Sequence, residues 1–495
     1  MERYLCIHGH FYQPPRENPW TGAVEVEASA APYHDWNRRI TAECYEPNLA
    51  ARILDGQGHV VKRLNNYSRM SFNFGPTLLA WMEREAPQVY RGILDSDRES
   101  AKRFSGHGSA LAQAYNHLIL PLAAPRDKET QVIWGLKDFA HRFGRKAEGM
   151  WLPETAVDLE TLEILAAQGL RFTILAPHQA RRWREDGASA WQEVPPGGIA
   201  PLRPYRVFLP SGKELSVFFY EGPLSQAIAF QRLLSDGEAF FNRLLARFSG
   251  RPAGPELLAI ATDGETYGHH HKFGDMALAY VLDAATARGA VRLTNFGGYL
   301  DRFPPRAEVE ILENSSWSCP HGVERWRADC GCNVGGIRGW RQAWRAPLRS
   351  ALDALREAWA AFFQADAEKW LRDPWAARND YLEILLDPSP ARREEFFRGH
   401  AWRPLDEAKQ ARVEALLELQ RHAMLMFTSC GWFFDDPSGL ETLQVLRYAR
   451  RGLELARGLG APDLEVEFLR TLSAGRSNFP ERGSLADIYL QSALP

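Results

Sequence analysis

The sequence predicts an α/β fold, a barrel of about seven β-α steps followed by a C-terminal α-helical domain. Three observations point there. Strand-like and helix-like segments alternate from the N-terminus to about residue 300, several apolar runs end in His, Glu or Asp, and beyond about residue 335 strands nearly vanish. No glycine-rich dinucleotide fingerprint follows any strand, which argues against an open doubly wound sheet.

The elements follow in order. Tyr4 to His8 has strand character and ends in His8-Gly9-His10, ahead of the rigid Gln13-Pro14-Pro15. Arg69 to Phe74 is a second strand, and Pro76 opens a helix through Glu85, proline being suited to the first helical position. Asp127 to Phe143 carries apolar side chains at helical spacing and stops at Gly144. Gly149 to Glu154, the helix from Val157 to Gln168 and the strand from Arg171 to Ala176 form a β-α-β unit, which requires parallel strands. Leu215 to Tyr220 is a further strand, and Asp236 to Phe248 a helix. The apolar run Leu257 to Ala261 is then a strand that ends in Thr262-Asp263-Gly264-Glu265, with a helix around Gly274 to Arg288 and a last strand near Val291 to Asn295. Trp340 to Asp373, Glu407 to Phe427 and Leu440 to Gly458 are helical, without the sustained heptads of a coiled coil.

Composition excludes several classes. A net charge of -3 over 495 residues gives no electrostatic handle for nucleic acid or a membrane surface. No apolar run is long enough to span a bilayer, and Met1 to His8 enters a strand pattern with no secretory leader. Six cysteines, sparse for this length, fit reduced thiols and a cytoplasmic location. The 16 Trp, 15 Tyr and 26 Phe mostly serve core packing and leave some rings to stack on sugars. The oligomeric state is not legible.

The chemistry gathers at strand ends, where His8 and His10, Glu154, Glu221 and Asp263 each follow an apolar run. In a β/α barrel these positions open on one face. Two carboxylates there, with aromatics and histidines but no phosphate loop, suit glycoside hydrolysis: one attacks or activates water, and the other protonates the leaving oxygen. An ordinary strand-to-helix turn with Asp263 as N-cap uses the same residues.

Six segments in order resemble glycoside hydrolase family 57. They are HGHFYQPP (His8 to Pro15), SFNFGPTLLAWM (Ser71 to Met82), GHGSALAQAYNHLILPL (Gly106 to Leu122), MWLPE (Met150 to Glu154), TDGETYGHH (Thr262 to His270) and TSCGWFFDD (Thr428 to Asp436). The resemblance is to a long subgroup of the family and implies an incomplete (β/α)7 barrel followed by a helical domain. The expected division is residues 1–300 for the barrel, 301–335 for a Cys/Trp-rich rim loop, and 336–495 for a helical domain contributing to the substrate cleft.

The resemblance also implies roles. Glu154 is the nucleophile and Asp263 the general acid/base of a retaining hydrolase or glucanotransferase acting on α-glucans, with carboxyl groups about 5–5.5 Å apart and no cofactor or catalytic metal required. His8, His10, His117 and His269 are candidate sugar contacts, Trp151 and Tyr267 stacking surfaces, and Trp432 a further subsite. His270 and His271 are open positions. Two departures stand out. Gly106-His107-Gly108-Ser109 lacks the family's usual carboxylate, and Glu221 stands where Asp is common.

Cys319, His321, Cys330 and Cys332 could close a tetrahedral structural zinc site, or serve as buried free thiols in a rim loop. Two rival functions remain open at this stage. One is a metal-dependent deacetylase or α-mannosidase type enzyme with His8 and His10 as ligands; the other is a non-catalytic glycan-binding protein.

Overall fold

Runs of buried apolar residues select the strands, and the helices that follow them keep those strands parallel. The computed structural model describes residues 2–249 and 254–492. Seven strands carry the site: β1 (Arg3–Phe11), β2 (Ser71–Phe74), β3 (Ala112–Gln113), β4 (Gly149–Trp151), β5 (Phe172–Leu175), β6 (Glu214–Phe219) and β7 (Glu256–Asp263). Their lateral order is β7-β1-β2-β3-β4-β5-β6, every neighbouring pair being parallel and β2 meeting the β3 segment through a bridge from Phe72 to Ala110. β6 and β7 share no ladder. Across that seam the backbone N–H of Glu221 donates to Ala259 O at 2.8 Å. This is the incomplete (β/α)7 barrel that the sequence predicts.

The barrel interior is filled, not open. Phe172 and Phe218 meet edge to face at 5.5 Å, and Phe296 closes on Phe218 at 4.8 Å. These rings belong to one buried cluster with Cys6, Trp151 and Ala259. The surrounding helices obey their local signals. Pro76 starts the helix Pro76–Glu85. Asp158 caps Leu159–Ala167 through Thr161 N, so that helix begins two residues later than apolar spacing alone predicts. Gly274–Arg288 ends at Gly289 with φ 62°, the left-handed conformation that favours glycine.

Beyond β6 the sheet continues in an arm of mixed parallel and antiparallel pairing that sequence patterning missed. Ala180–Glu185, Pro204–Phe208 and Ala307–Ile311 extend the sheet from β6. Cross-strand pairs of Arg182 with Glu310 and Arg184 with Glu308 populate its open face. A strand written ARRWRE does not alternate cleanly between apolar and polar, so its period is hidden.

The chain forms two compact units. One comprises the residues up to Gln13, Val26–Gln113 and Arg142–Trp317, and the other Pro14–Glu25, Ala114–His141 and Ser318–Pro495. A linear division at 300 and 335 therefore differs from the folded one. The segment up to Trp317 stays with the barrel, while most of the helix Pro125–Phe143 belongs with the helical unit. The reason is local: Trp134 Nε1 donates to Arg378 O at 3.0 Å, and Lys137 pairs with Asp380 and Glu383 at 2.5 Å each.

The helical unit is built on Arg345–Ala367, Glu407–Leu425 and Leu440–Gly458. Among the described residues no helix is long and apolar enough to cross a membrane. Within this unit Arg378 is 1% exposed. It donates to Asp127 Oδ1 (2.7 Å), Gln420 Oε1 (3.0 Å), Arg126 O (2.7 Å) and Thr130 Oγ1 (2.9 Å), and lies over the Trp375 ring. Removing one partner strands a buried charge. Asp127→Ala is expected to lower unfolding free energy by about 3–5 kcal/mol in urea titrations, and the double variant Asp127→Leu/Arg378→Met by clearly less.

Candidate active site

On β1, His8 and His10 are two residues apart and so face the same side, into the barrel. Strand register sets their neighbours. His10 lies opposite Asp263 on β7 and opposite Asn73 on β2, while His8 lies opposite Ser71. His8 Nδ1 is 3.0 Å from Ser71 Oγ and its Nε2 is 3.1 Å from Asn73 Oδ1. Asn73 Nδ2 donates to Gln113 Oε1 at 2.7 Å and sits 2.9 Å from His10 Nδ1. Trp151 on β4 stacks against both imidazoles, with centroids 4.8 and 5.2 Å away. Burial pushes His8 and His10 down to about 3, and for His8 the neighbouring His10 adds to the effect. Both rings are therefore neutral at ordinary pH.

Glu154 follows β4 in an unusual backbone state. Its φ is 56° and that of Thr155 is 50°, two successive non-glycine residues in the left-handed region. Each such residue costs on the order of 1 kcal/mol and persists only where surroundings enforce it. Here they do. Trp317 N donates to Glu154 O at 3.0 Å, and Thr155 N donates to Leu152 O at 2.8 Å. Gln179 accepts from Thr155 Oγ1 and donates to Thr155 O, both at 2.8 Å. The side chain is half-buried and accepts the Trp317 indole N–H on Oε2 at 3.0 Å.

Asp263 ends β7 with its side chain exposed. It does not cap the following turn, which removes the plain-turn reading. Partial desolvation at the strand end raises its carboxyl to about 7, with the negative charge of Glu154 acting in the same direction. Gly264 after it has no room for a side chain, since a Cβ there would overlap the Phe11 ring. Glu265 is buried; its Oε1 accepts from Tyr12 N (2.9 Å) and Tyr45 Oη (2.5 Å). Burial lifts this carboxyl to about 8, with Asp263 adding to the rise and the two donors opposing it.

Several expected contacts lie elsewhere. Trp151, Tyr267 and His8 have no exposed surface, so none offers a free face to a ring stacking from outside. Trp151 instead covers the histidines. In the helical unit His117 is fully buried, 2.6 Å from Ser429 Oγ, and Trp432 is fully buried, stacked on Phe427 and beneath Arg349. His269 is half-buried with Nδ1 2.5 Å from Glu43 Oε2. His271 is not open, because its Nε2 donates to Ala229 O at 2.7 Å; His270 is exposed. Glu221 caps its helix through Leu224 N and pairs with Arg247.

Sequence reasoning missed Asn73, Gln113 and Trp317. Asn73 carried a signal, a polar residue at an inward position in the strand SFNF. Trp317 falls within the Cys/Trp-rich rim loop of residues 301–335, whose composition marks the segment but not this ring. Among the described residues no cluster of His, Cys, Asp and Glu positioned to hold a metal includes His8 or His10, and both ring nitrogens of His8 are engaged by Ser71 and Asn73. That disfavours the metal-dependent alternative.

Fold and site together define an α/β barrel protein with a paired-carboxylate centre at its strand ends. The chain belongs to glycosyl hydrolase family 57, whose family model matches residues 8–311. A second model, for a domain of unknown function (DUF3536), matches residues 340–495. The chain is 24% identical over 267 residues to a 4-alpha-glucanotransferase of Thermococcus litoralis, covering 51% of this chain and 36% of that protein. It is 21% identical over 276 residues to an alpha-amylase of Pyrococcus horikoshii, covering 52% and 39%. It thus spans less than half the length of these curated relatives. In fold it is similar to an exo-type maltose-forming amylase from Pyrococcus sp. ST04, with TM-score 0.68, 15% identity, and coverage of 95% and 82%. It is also similar to a GH57-type branching enzyme from Pyrococcus horikoshii, with TM-score 0.59, 18% identity, and coverage of 100% and 98%.

The raised Glu265 carboxyl sets a pH dependence. Its folded value of about 8 exceeds the unfolded one near 4.3, so the native state holds the extra proton. Stability from this group is full below about pH 4.3 and is lost as pH rises toward 8, by at most about 1.4 kcal/mol per pH unit. Glu265→Gln keeps the shape and removes the titration. Urea midpoints of the variant are expected to fall less between pH 5 and 8 than those of the parent (about the window set by the two values).

Proposed function

We propose that the chain is a retaining enzyme acting on α-glucans by double displacement, with Glu154 as nucleophile and Asp263 as general acid/base. The observation that carries this reading is the unequal pair. Asp263 has a carboxyl lifted to about 7, partly by the charge of Glu154, whereas Glu154 accepts the Trp317 indole N–H. Family membership and the named relatives, a glucanotransferase and an amylase, support the substrate class.

In the first step a Glu154 oxygen bonds to the anomeric carbon, the glycosidic C–O bond breaks, and the Asp263 proton moves to the departing oxygen. In the second, ionised Asp263 takes a proton from an incoming hydroxyl, whose oxygen replaces the Glu154 ester. Water as acceptor gives hydrolysis, and a glucan hydroxyl gives transfer. His10 and Trp317 border the pair, and Trp317 is the half-buried ring available to a sugar. The cysteines are all free of disulfides, which supports a reducing, cytoplasmic setting.

Glu154→Gln and Asp263→Asn are expected to lower kcat/KM on maltooligosaccharides by several orders of magnitude while leaving the fold intact by circular dichroism. Because the acid must be protonated, kcat/KM of the parent is expected to fall above about pH 7, with that limb absent in Asp263→Asn. Product chromatography separates the outcomes: longer and shorter glucans together mean transfer, and shorter ones alone mean hydrolysis. Unchanged maltooligosaccharides would sink the substrate assignment.

A further inference from the structure

We propose that Cys319, His321, Cys330 and Cys332 hold one zinc ion that staples the loop leading into the helical unit. The four donor atoms lie within 4.8 Å of one another. Cys319 Sγ is 4.0 Å from Cys330 Sγ and 3.6 Å from Cys332 Sγ, and Cys332 Sγ is 3.6 Å from His321 Nδ1. A tetrahedral zinc with Zn–S near 2.3 Å and Zn–N near 2.05 Å requires edges of about 3.8 Å between sulfurs and about 3.6 Å between sulfur and nitrogen. The three edges given above, 4.0, 3.6 and 3.6 Å, lie close to these values, and the longest separation of 4.8 Å leaves about 1 Å for the ion to draw in. A polynuclear iron–sulfur cluster needs its thiolates spread further apart, around several metal atoms. A disulfide needs sulfurs about 2.05 Å apart and joins only two, leaving the third thiol and the imidazole unexplained.

The surroundings answer the charge of such a site. Three thiolates, one neutral imidazole and Zn²⁺ sum to one negative charge. Arg345, fully buried at the start of its helix, sets Nη1 3.9 Å from Cys330 Sγ and 3.0 Å from Cys332 O, so its guanidinium opposes that charge. The same side chain donates from Nη2 to Phe433 O and Phe434 O at 3.3 Å each. Just beyond Cys332, Asp435 accepts from Val334 N at 2.8 Å and Gly335 N at 2.6 Å. Between residues 318 and 344 the only helix or strand is the short turn Glu324–Trp326. Such a stretch has little intrinsic order, and a metal cross-link supplies it. Cys319 is buried while His321 is exposed, which gives an ion access from solvent.

The test is metal analysis of the full chain, purified without chelator from zinc-supplemented cells. The expected result is about one zinc per chain. Cys330→Ser and Cys332→Ser are each expected to lower this to below about a tenth. His321→Ala, at an exposed position where folding is not at risk, is expected to weaken zinc retention against a competing chelator about tenfold or more. Stripping the metal is expected to lower the melting temperature reversibly, with recovery on adding Zn²⁺ alone. A parent protein with no stoichiometric zinc overturns the proposal, as does stoichiometric iron in its place. Full zinc in all three variants, or a disulfide found by thiol titration of the denatured chain, does so too.

Discussion

The candidate site rests on an electrostatic coupling: the charge of Glu154 adds to the rise of the Asp263 carboxyl. Glu154 receives an indole N–H from Trp317, and desolvation is the larger cause of the Asp263 rise, with the charge of Glu154 the smaller. The histidines beneath must not interfere. A protonated His10, in register with Asp263, would draw the aspartate back toward its ordinary acidity. Burial under Trp151 and contact with Asn73 hold both imidazoles neutral. With both imidazoles neutral, neither adds a positive charge beside Asp263.

The same logic explains why backbone strain collects at Glu154. A three-residue strand gives little length over which to aim a side chain, and two left-handed residues turn the chain sharply after Pro153. The cost is met by a network that includes Gln179 and the Trp317 amide. Trp317 therefore holds Glu154 twice, through its backbone N–H and through its indole. Asp263 needs no such device, being the last residue of an eight-residue strand whose register against β1 fixes it.

What could be read from the sequence follows from these differences. Apolar runs ending in His8-Gly9-His10, Glu154 and Asp263 mark strand ends directly, because strand burial leaves a plain pattern. The charged arm around Ala180–Glu185 leaves none, since its outward face is built from Arg–Glu pairs. Ring placement was equally hidden. Trp151, Tyr267 and Trp432 have the residue type of sugar platforms, but exposure is a tertiary property, and all three are fully buried. Helix Pro125–Phe143 has an unambiguous period, yet its partners Arg378 and Asp380 lie some 240 residues downstream, too far for any local signal.

The coupling between the two acids also bears on both halves of the proposed reaction. The rise in the Asp263 carboxyl has a burial part and a Glu154 part. Esterification of Glu154 in the glycosyl-enzyme would remove its charge and leave only the burial part. The aspartate, having just given up its proton, would then meet a weaker pull to regain one, which favours its role as base toward the acceptor. One electrostatic contact thereby favours the acid form before the first displacement and the base form before the second. Which acceptor arrives is a separate matter, governed by how well water is kept from the ester while a sugar hydroxyl approaches.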